Sequence, residues 1–154
     1  MAISIQKLTL WTTDIGNRPG SLGALLGPLA DAGCDLEVLM AYVKPGDPAK
    51  GVVELAPISG ARATRAAKSA GLAPAAIPCL LVDGDNRQGL GHAIASALGA
   101  AGINLHFVVT LVSGKRYRAV FGFGAETQPA AVTRVIRSAV AAAAAARKPK
   151  RKGR

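Results

Sequence analysis

Aromatic side chains are scarce in this chain: three Phe, two Tyr and one Trp, 4% of the residues. A core with so few rings has to be assembled from Leu, Val, Ile and Ala, which favours thin, closely packed layers over large pockets. Cysteine is nearly absent too. Cys34 and Cys79 lie in apolar segments without a CxxC partner, so they read as buried structural thiols in a reducing compartment and exclude a disulfide scaffold. The two histidines, His92 and His106, have no acidic or cysteine partner at a metal or triad spacing, and the nine acidic residues are scattered. Catalysis and metal binding are therefore left without a residue set, and neither cofactor nor metal is expected; His92 reads as a surface residue.

Long apolar runs are missing as well. Gly, Pro or charge breaks every apolar stretch before the ~20 residues that cross a bilayer, so no membrane partner is expected. Met1 to Trp11 alternates apolar and polar residues instead of placing a basic head before an apolar run, so it does not read as a secretion signal, and the cytoplasm is the expected compartment.

What the chain has is Ala, Gly and positive charge. The net charge of +10 points towards nucleic acid, but Arg147, Lys148, Lys150, Arg151, Lys152 and Arg154 supply six of those charges. Removing six from ten leaves only +4 on the rest, so the basicity is mainly a tail. That tail reads as a disordered, solubilising end in preference to a phosphate binder.

The chain also repeats itself. Laying Asn17 on Asn86, an offset of 69, aligns Asp14–Leu36 with Asp83–Leu105 without a gap. Nine pairs are identical: Asp14/Asp83, Asn17/Asn86, Arg18/Arg87, Gly20/Gly89, Ala24/Ala93, Leu29/Leu98, Ala32/Ala101, Gly33/Gly102 and Leu36/Leu105. A repeat of this length means one structural unit made twice.

Periodicity gives the elements of each copy. Gln6–Thr12 and Pro78–Val82 are short strands running into loops. Leu22, Leu25, Leu26 and Leu29 share a helical face in copy one, as do Leu90, Ile94, Ala97, Leu98 and Ala101 in copy two. Gly33 and Gly102 stop these helices, and Pro28 should kink the first. Leu36–Val43 with Gly51–Ala56, and Leu105–Val112 with Arg116–Phe123, read as hairpins. Helices follow over Ser59–Ala70 and about Gln128–Ala146. Leu72–Ile77 can close copy one as an edge strand, its role limited by Pro74 and Pro78. Copy two has no apolar run left for a closing strand, which is missing or replaced by the Ala-rich helix.

The expected fold is α+β: two ferredoxin-like βαββαβ modules, each an antiparallel sheet with its helices on one face. The boundaries fall at 1–77 and 78–140, with 141–154 an Ala-rich helix end and basic tail.

The loops Asn17-Arg18-Pro19-Gly20 and Asn86-Arg87-Gln88-Gly89 carry the functional signal. Pro suits a first helical turn and Gly admits a close neighbour, so each loop aims free helix N–H groups outward. Such a helix start holds a carboxylate, and an Asn side chain can both donate and accept towards an amino group. The bland alternative is a helix cap with a solvated Arg.

A strand, then Asn-x-Pro-Gly-x-Leu, an amphipathic helix, and Gly-x-Asn/Asp-Leu opening the next strand together resemble the ACT domain, a regulatory module of amino-acid metabolism. The chain resembles the stand-alone proteins made of two such domains, up to about Ala139. The resemblance implies an amino-acid-binding sensor, not an enzyme, that binds its ligand at a module or dimer seam and controls a partner, with a homodimer and an enzyme or regulator of amino-acid biosynthesis as protein partners. It implies ligand contacts at Asn17, Arg18, Pro19, Gly20 and Asp35 in copy one, and at Asn86, Gln88, Gly89 and Asn104 in copy two. Gln88 stands where the family usually has Pro and Asp35 where Asn is common, so the two sites need not be equivalent. A ligand-free docking subunit and a nucleic-acid binder using the tail are the alternatives.

Three weaker signals are read against function. Asp83-Gly84-Asp85 lacks the rest of a calcium loop and reads as a turn. The glycines of Gly89-Leu90-Gly91 lack the third glycine and the distant acid of a dinucleotide fold. Phe107, Tyr117 and Phe121 read as core or interface residues, not an RNA-stacking set.

Overall fold

A computed structural model describes residues 3–146. The basic tail, Arg147 to Arg154, lies outside the described residues, and with it the expectation of a disordered end. The chain divides into two compact units, residues 8–76 (module 1) and residues 3–7 with 77–146 (module 2).

Module 1 begins with β2 (Trp11–Gly16), followed by α1 (Ser21–Asp31), β3 (Val38–Val43), β4 (Lys50–Ala56), α2 (Ala61–Ser69) and the short β5 (Ala73–Pro74). Its sheet runs β3-β4-β2-β5. Asp14 pairs with Val52 and Tyr42 with the same Val52 from the other side. β5 adds two residues to the β2 edge, Ala73 against Thr12 and Pro74 against Trp11, the edge role expected of a Pro-limited segment. Leu25 and Leu29 of α1 and Ala67 of α2 meet Trp11, Val53 and Leu55 of the sheet in one core. The Arg62 guanidinium of α2 donates to the Asp31 carbonyl at the end of α1 (2.7 Å), tying the two helices together. α1 runs unbroken through Pro28; a proline eight residues in removes one N–H but leaves the Leu25 and Leu29 contacts in place.

Module 2 contains β6 (Cys79–Asp85), α3 (Leu90–Ala100), β7 (Leu105–Ser113), β8 (Arg116–Phe123) and α4 (Pro129–Ala145). Its sheet runs β7-β8-β6-β1, where β1 is Ile3–Leu8 from the start of the chain. Both sheets thus have the strand order of a βαββαβ unit, second-third-first-fourth, and the fold is α+β with two ferredoxin-like modules. In module 2 the fourth place is filled by β1. Ile3 and Ile5 pack against the core of Leu80, Val82, Ile94, Phe121 and Ile136. The strand read over Gln6–Thr12 is therefore two strands, interrupted at Thr9 and Leu10, and the closing strand that copy two lacks is supplied from the N-terminus. The boundaries expected at 1–77 and 78–140 shift accordingly. The physical reason is that an uncovered β6 edge would leave a row of unpaired N–H and C=O groups.

Asp83-Gly84-Asp85 is the end of strand β6, not a turn. Asp83 pairs with Arg118, whose Nε donates to its carboxylate at 2.8 Å, and with Arg116. Burial pushes the Asp83 carboxyl up, but the hydrogen bond from Arg118 and the charges of Arg116 and Arg118 outweigh this and hold it below the usual carboxylate range. Tyr117 and Phe121 lie in the module 2 core, whereas the Phe107 ring lies over Gly122 on the opposite face of the sheet. The three aromatics therefore form no common stacking surface. No helix among the described residues is long and apolar enough to cross a membrane.

Candidate functional site

The repeated loop sits at the same place in both modules, between the first strand and the first helix, and is anchored the same way. The Asn17 N–H donates to the Ala49 carbonyl (2.9 Å) and the Asn86 N–H to the Lys115 carbonyl (2.7 Å), each reaching the turn of the module's own hairpin. Gly20 and Gly89 then take left-handed conformations, φ 88° and 82°, as helix N-caps, a backbone that only glycine adopts readily. Neither helix has a side-chain cap or an acidic residue in its first turn. The first helical N–H of each, Ser21 and Leu90, turns back to the Arg18 and Arg87 carbonyls (3.3 and 3.1 Å), while the N–H groups that follow carry no side-chain cap and have the positive end of the helix dipole behind them.

The side chains of the two loops then diverge. Asn17 turns its amide back onto the protein and donates to the Pro48 carbonyl at 2.8 Å; among the described residues the Asn86 side chain makes no such bond, and its backbone N–H alone ties the loop to the hairpin. Arg18 folds across the end of β2, its Nε within 3.7 Å of where a Cβ on Gly16 would sit. The equivalent of Gly16 in module 2 is Asp85, which faces Arg116. Arg87 points elsewhere, towards the Ala144 carbonyl of α4 (3.4 Å), and lines a different cleft with Ile3, Arg137 and Val140.

In module 1 the loop opens on a cleft of about 250 Å³. Asn17 and Arg18 form its polar end. Ile15, Leu22 and Val43 form the apolar walls with Gly51 among them, while Tyr42 and Val52 border the cleft from the strands, their side chains on the other face of the sheet. The volume lies below the ~300–1,000 Å³ of drug-sized pockets. Beside it, Lys44 pairs with Asp14, and that hydrogen bond raises the Lys44 ammonium. The Tyr42 hydroxyl donates to Glu54 (3.1 Å), a carboxylate only 6% exposed. Burial raises the Tyr42 phenol, and the charge of Glu54 and the bond to it raise it further.

The structure brings together some of the residues read from the sequence and separates others. Asn17 and Arg18 line the cleft; Pro19 and Gly20 are exposed at its rim. Asp35 does not join them. It lies past the far end of α1, in a second cleft with Cys34, Glu37 and Arg62. In module 2, Asn86 is half-buried, Gln88 and Gly89 are exposed at the head of α3, and Asn104 is exposed beyond its far end. His92 is exposed, 3.5 Å from the Ser96 hydroxyl. Cys79 is buried and Cys34 half-buried. The described residues contain no group of three or more His, Cys, Asp or Glu able to hold a metal.

None of the cleft residues Ile15, Leu22, Val43 and Gly51 is read as a site residue from the sequence, where Leu22 marks a helical face and Val43 and Gly51 mark strand ends. Matching the hairpins through the strand register sets Gly51 against Tyr117, because Gly51 pairs with Ile15 and Tyr117 with Gly84.

No protein-family model matches the chain, and no curated protein matches it. Solved structures do. The regulatory subunit of aspartate kinase from Thermus thermophilus superposes with a TM-score of 0.62 at 16% identity, over 90% of this chain and 97% of that one. Protein BT0572 from Bacteroides thetaiotaomicron gives 0.67 at 15% identity, over 88% and 89%. The aspartokinase alpha and beta subunits give 0.60 at 15% identity, over 92% and 98%. Fold and strand order define the class: two ferredoxin-like modules in one chain. Its structural neighbours include the regulatory domains of aspartate kinase, and the resemblance read from the sequence holds at the level of the fold.

Proposed function

We propose that this chain is a non-enzymatic regulatory protein that binds an amino acid in the cleft of module 1 and passes its occupancy to a partner. The observation that carries the reading is the combination of the uncapped N-terminus of α1, the Arg18 guanidinium and a small apolar cleft. The first-turn N–H groups beyond Ser21 and the Arg18 guanidinium suit an α-carboxylate. Ile15, Leu22 and Val43 suit an uncharged, apolar side chain. Module 2 contributes a second, non-equivalent loop around Asn86, Gln88 and Gly89. Aspartate kinase regulatory subunits share the fold, which supports an enzyme of amino-acid metabolism as the partner.

Two sheet edges support self-association. β3 exposes Leu39, Tyr42 and Val43, and β7 exposes Val108, Val109, Leu111 and Val112, with Leu111 68% exposed. Long apolar edge strands of this kind are covered in stable proteins, and the edge of a second copy would make a homodimer. The same β7 stripe favours one alternative, a docking subunit that works without ligand.

Thermal denaturation of the full chain against each of the twenty amino acids tests the reading, since a ligand specific for the folded state raises the melting temperature. A rise with one amino acid or one related group is expected. A flat response to all twenty at millimolar concentration would overturn it in favour of docking.

A further inference from the structure

The two modules fill the space under the loop in opposite ways. In module 1 the paired strand positions are Ile15 on β2 and Gly51 on β4; a Cβ on Gly51 would stand 3.4 Å from the Ile15 side chain. In module 2 the same pair is Gly84 on β6 and Tyr117 on β8. The large residue has changed strands. Ile15 stays half-buried as a wall of the cleft, while Tyr117 is 2% exposed and belongs to the core.

The first helical positions follow the same pattern. The repeat sets half-buried Ser21 against Leu90, which is 2% exposed and packs in the same core as Tyr117. Strand floor and helix start are thus Gly51 and Ser21 in module 1, but Tyr117 and Leu90 in module 2. The Tyr117 hydroxyl has no hydrogen bond of normal geometry, the Thr110 side chain being its polar neighbour. Burial raises its phenol. Sealing a polar atom in this way costs stability, and apolar residues fill an internal space without that cost.

From this we infer that Tyr117 fills in module 2 the space that in module 1, bounded by Ile15 and Gly51, remains open as the cleft, so that each chain has one competent cleft. The inference deepens the amino-acid reading proposed above, and it predicts a definite stoichiometry. Tyr117 acts as a built-in occupant whose phenol ring takes the place of a bound apolar side chain.

The test is a titration followed by amide NMR on the full chain, with two probes, L-valine and sodium isobutyrate. Isobutyrate has the carboxylate and the branched apolar group without the amine, so it reports the cleft whatever the natural ligand is. Shifts are expected at Asn17 and Gly51 and not at Asn86 and Tyr117. The double variant Ile15→Gly/Gly51→Tyr, which installs the module 2 pair, should remove them. Gly84→Ile/Tyr117→Gly, which installs the module 1 pair and removes the phenol ring from the core, should create a second responsive site at Asn86. Isobutyrate shifts in both wild-type modules, or in neither, would overturn the inference. Isobutyrate shifts confined to module 1, with no amino acid binding anywhere, would leave the asymmetry standing and sink the amino-acid reading.

Discussion

The Asn17 side-chain amide donates to the Pro48 carbonyl at 2.8 Å, fastening the loop before α1 to the turn between β3 and β4. The residue type that most suggested a ligand contact is thus already a structural tie. Asn17→Ala should cost module 1 about 1 kcal/mol, the usual net value of such a bond, whereas Asn86→Ala, which removes no side-chain bond, should cost less. Urea denaturation of both variants checks the difference. Equal losses would mean that the bond to Pro48 contributes nothing.

Arg18, not Asn17, is therefore the side chain to alter when ligand binding is the question. It lies across Gly16 at the mouth of the cleft, and among the described residues its guanidinium makes no hydrogen bond to the backbone, so truncating it leaves the loop's main-chain bonds in place.

The first strand belongs to the sheet of the other module. Deleting residues 1–7 should expose the β6 edge and strip Ile3 and Ile5 from the core of Leu80, Val82 and Ile136. With ~1.5–3 kcal/mol for each fully buried aliphatic side chain, and both residues only half-buried, a loss of about 2 kcal/mol in module 2 is expected. Hydrogen exchange should show weakened protection along β6 and β8 and unchanged protection along β4. Weakening confined to β4 would contradict the strand assignment.

Gly122 pairs with Phe107 across β7 and β8 and leaves room for its ring. A Cβ there would fall 2.2 Å from the Phe107 ring, so Gly122→Ala must displace the ring or the strand. Overpacking of this kind costs about 1–3 kcal/mol. Denaturation should show that loss, with most of it recovered when Phe107→Ala is added. A Gly122→Ala protein as stable as wild type would mean that the ring moves aside freely.

Asp83 ties the pH response to one ion-pair cluster. Its carboxyl titrates below its unfolded value because Arg118 and Arg116 hold it ionised. The sign follows: the contribution is complete above the ordinary carboxylate value of about 3.9 and is lost as pH falls through the lower folded value. The arginines are half exposed, so the gain is about 1 kcal/mol or less. Asp83→Asn should lower stability at pH 7 by that amount and flatten the acid limb of the stability curve. An unchanged acid limb would assign that limb to other carboxylates.

Much of this architecture is legible in the sequence because the repeat is local: one offset of 69 aligns loop, helix and following strand, and the Leu25/Leu29 and Ile94/Leu98 faces mark what each helix buries. The placement of β1 is not legible. Ile3 and Ile5 alternate as any half-buried strand does, and nothing in the alternation says which sheet edge the strand covers. The site divides in the same way. Asn17 and Arg18 belong to a readable motif, but Val43 and Gly51 reach the loop only when the hairpin folds back. Asp35 was read into the site from a motif position, and the length of α1 carries it to the other end of the module.

The central claim, an amino acid held in the module 1 cleft, is tested most directly by isothermal titration of the amino acid that stabilises the chain most. Wild type, Arg18→Ala and Arg87→Ala would be compared. The account predicts one ligand per chain, affinity weakened at least tenfold in Arg18→Ala, and no change in Arg87→Ala, whose guanidinium is turned to the Ala144 carbonyl. Binding that survives Arg18→Ala but is lost in Arg87→Ala would contradict it.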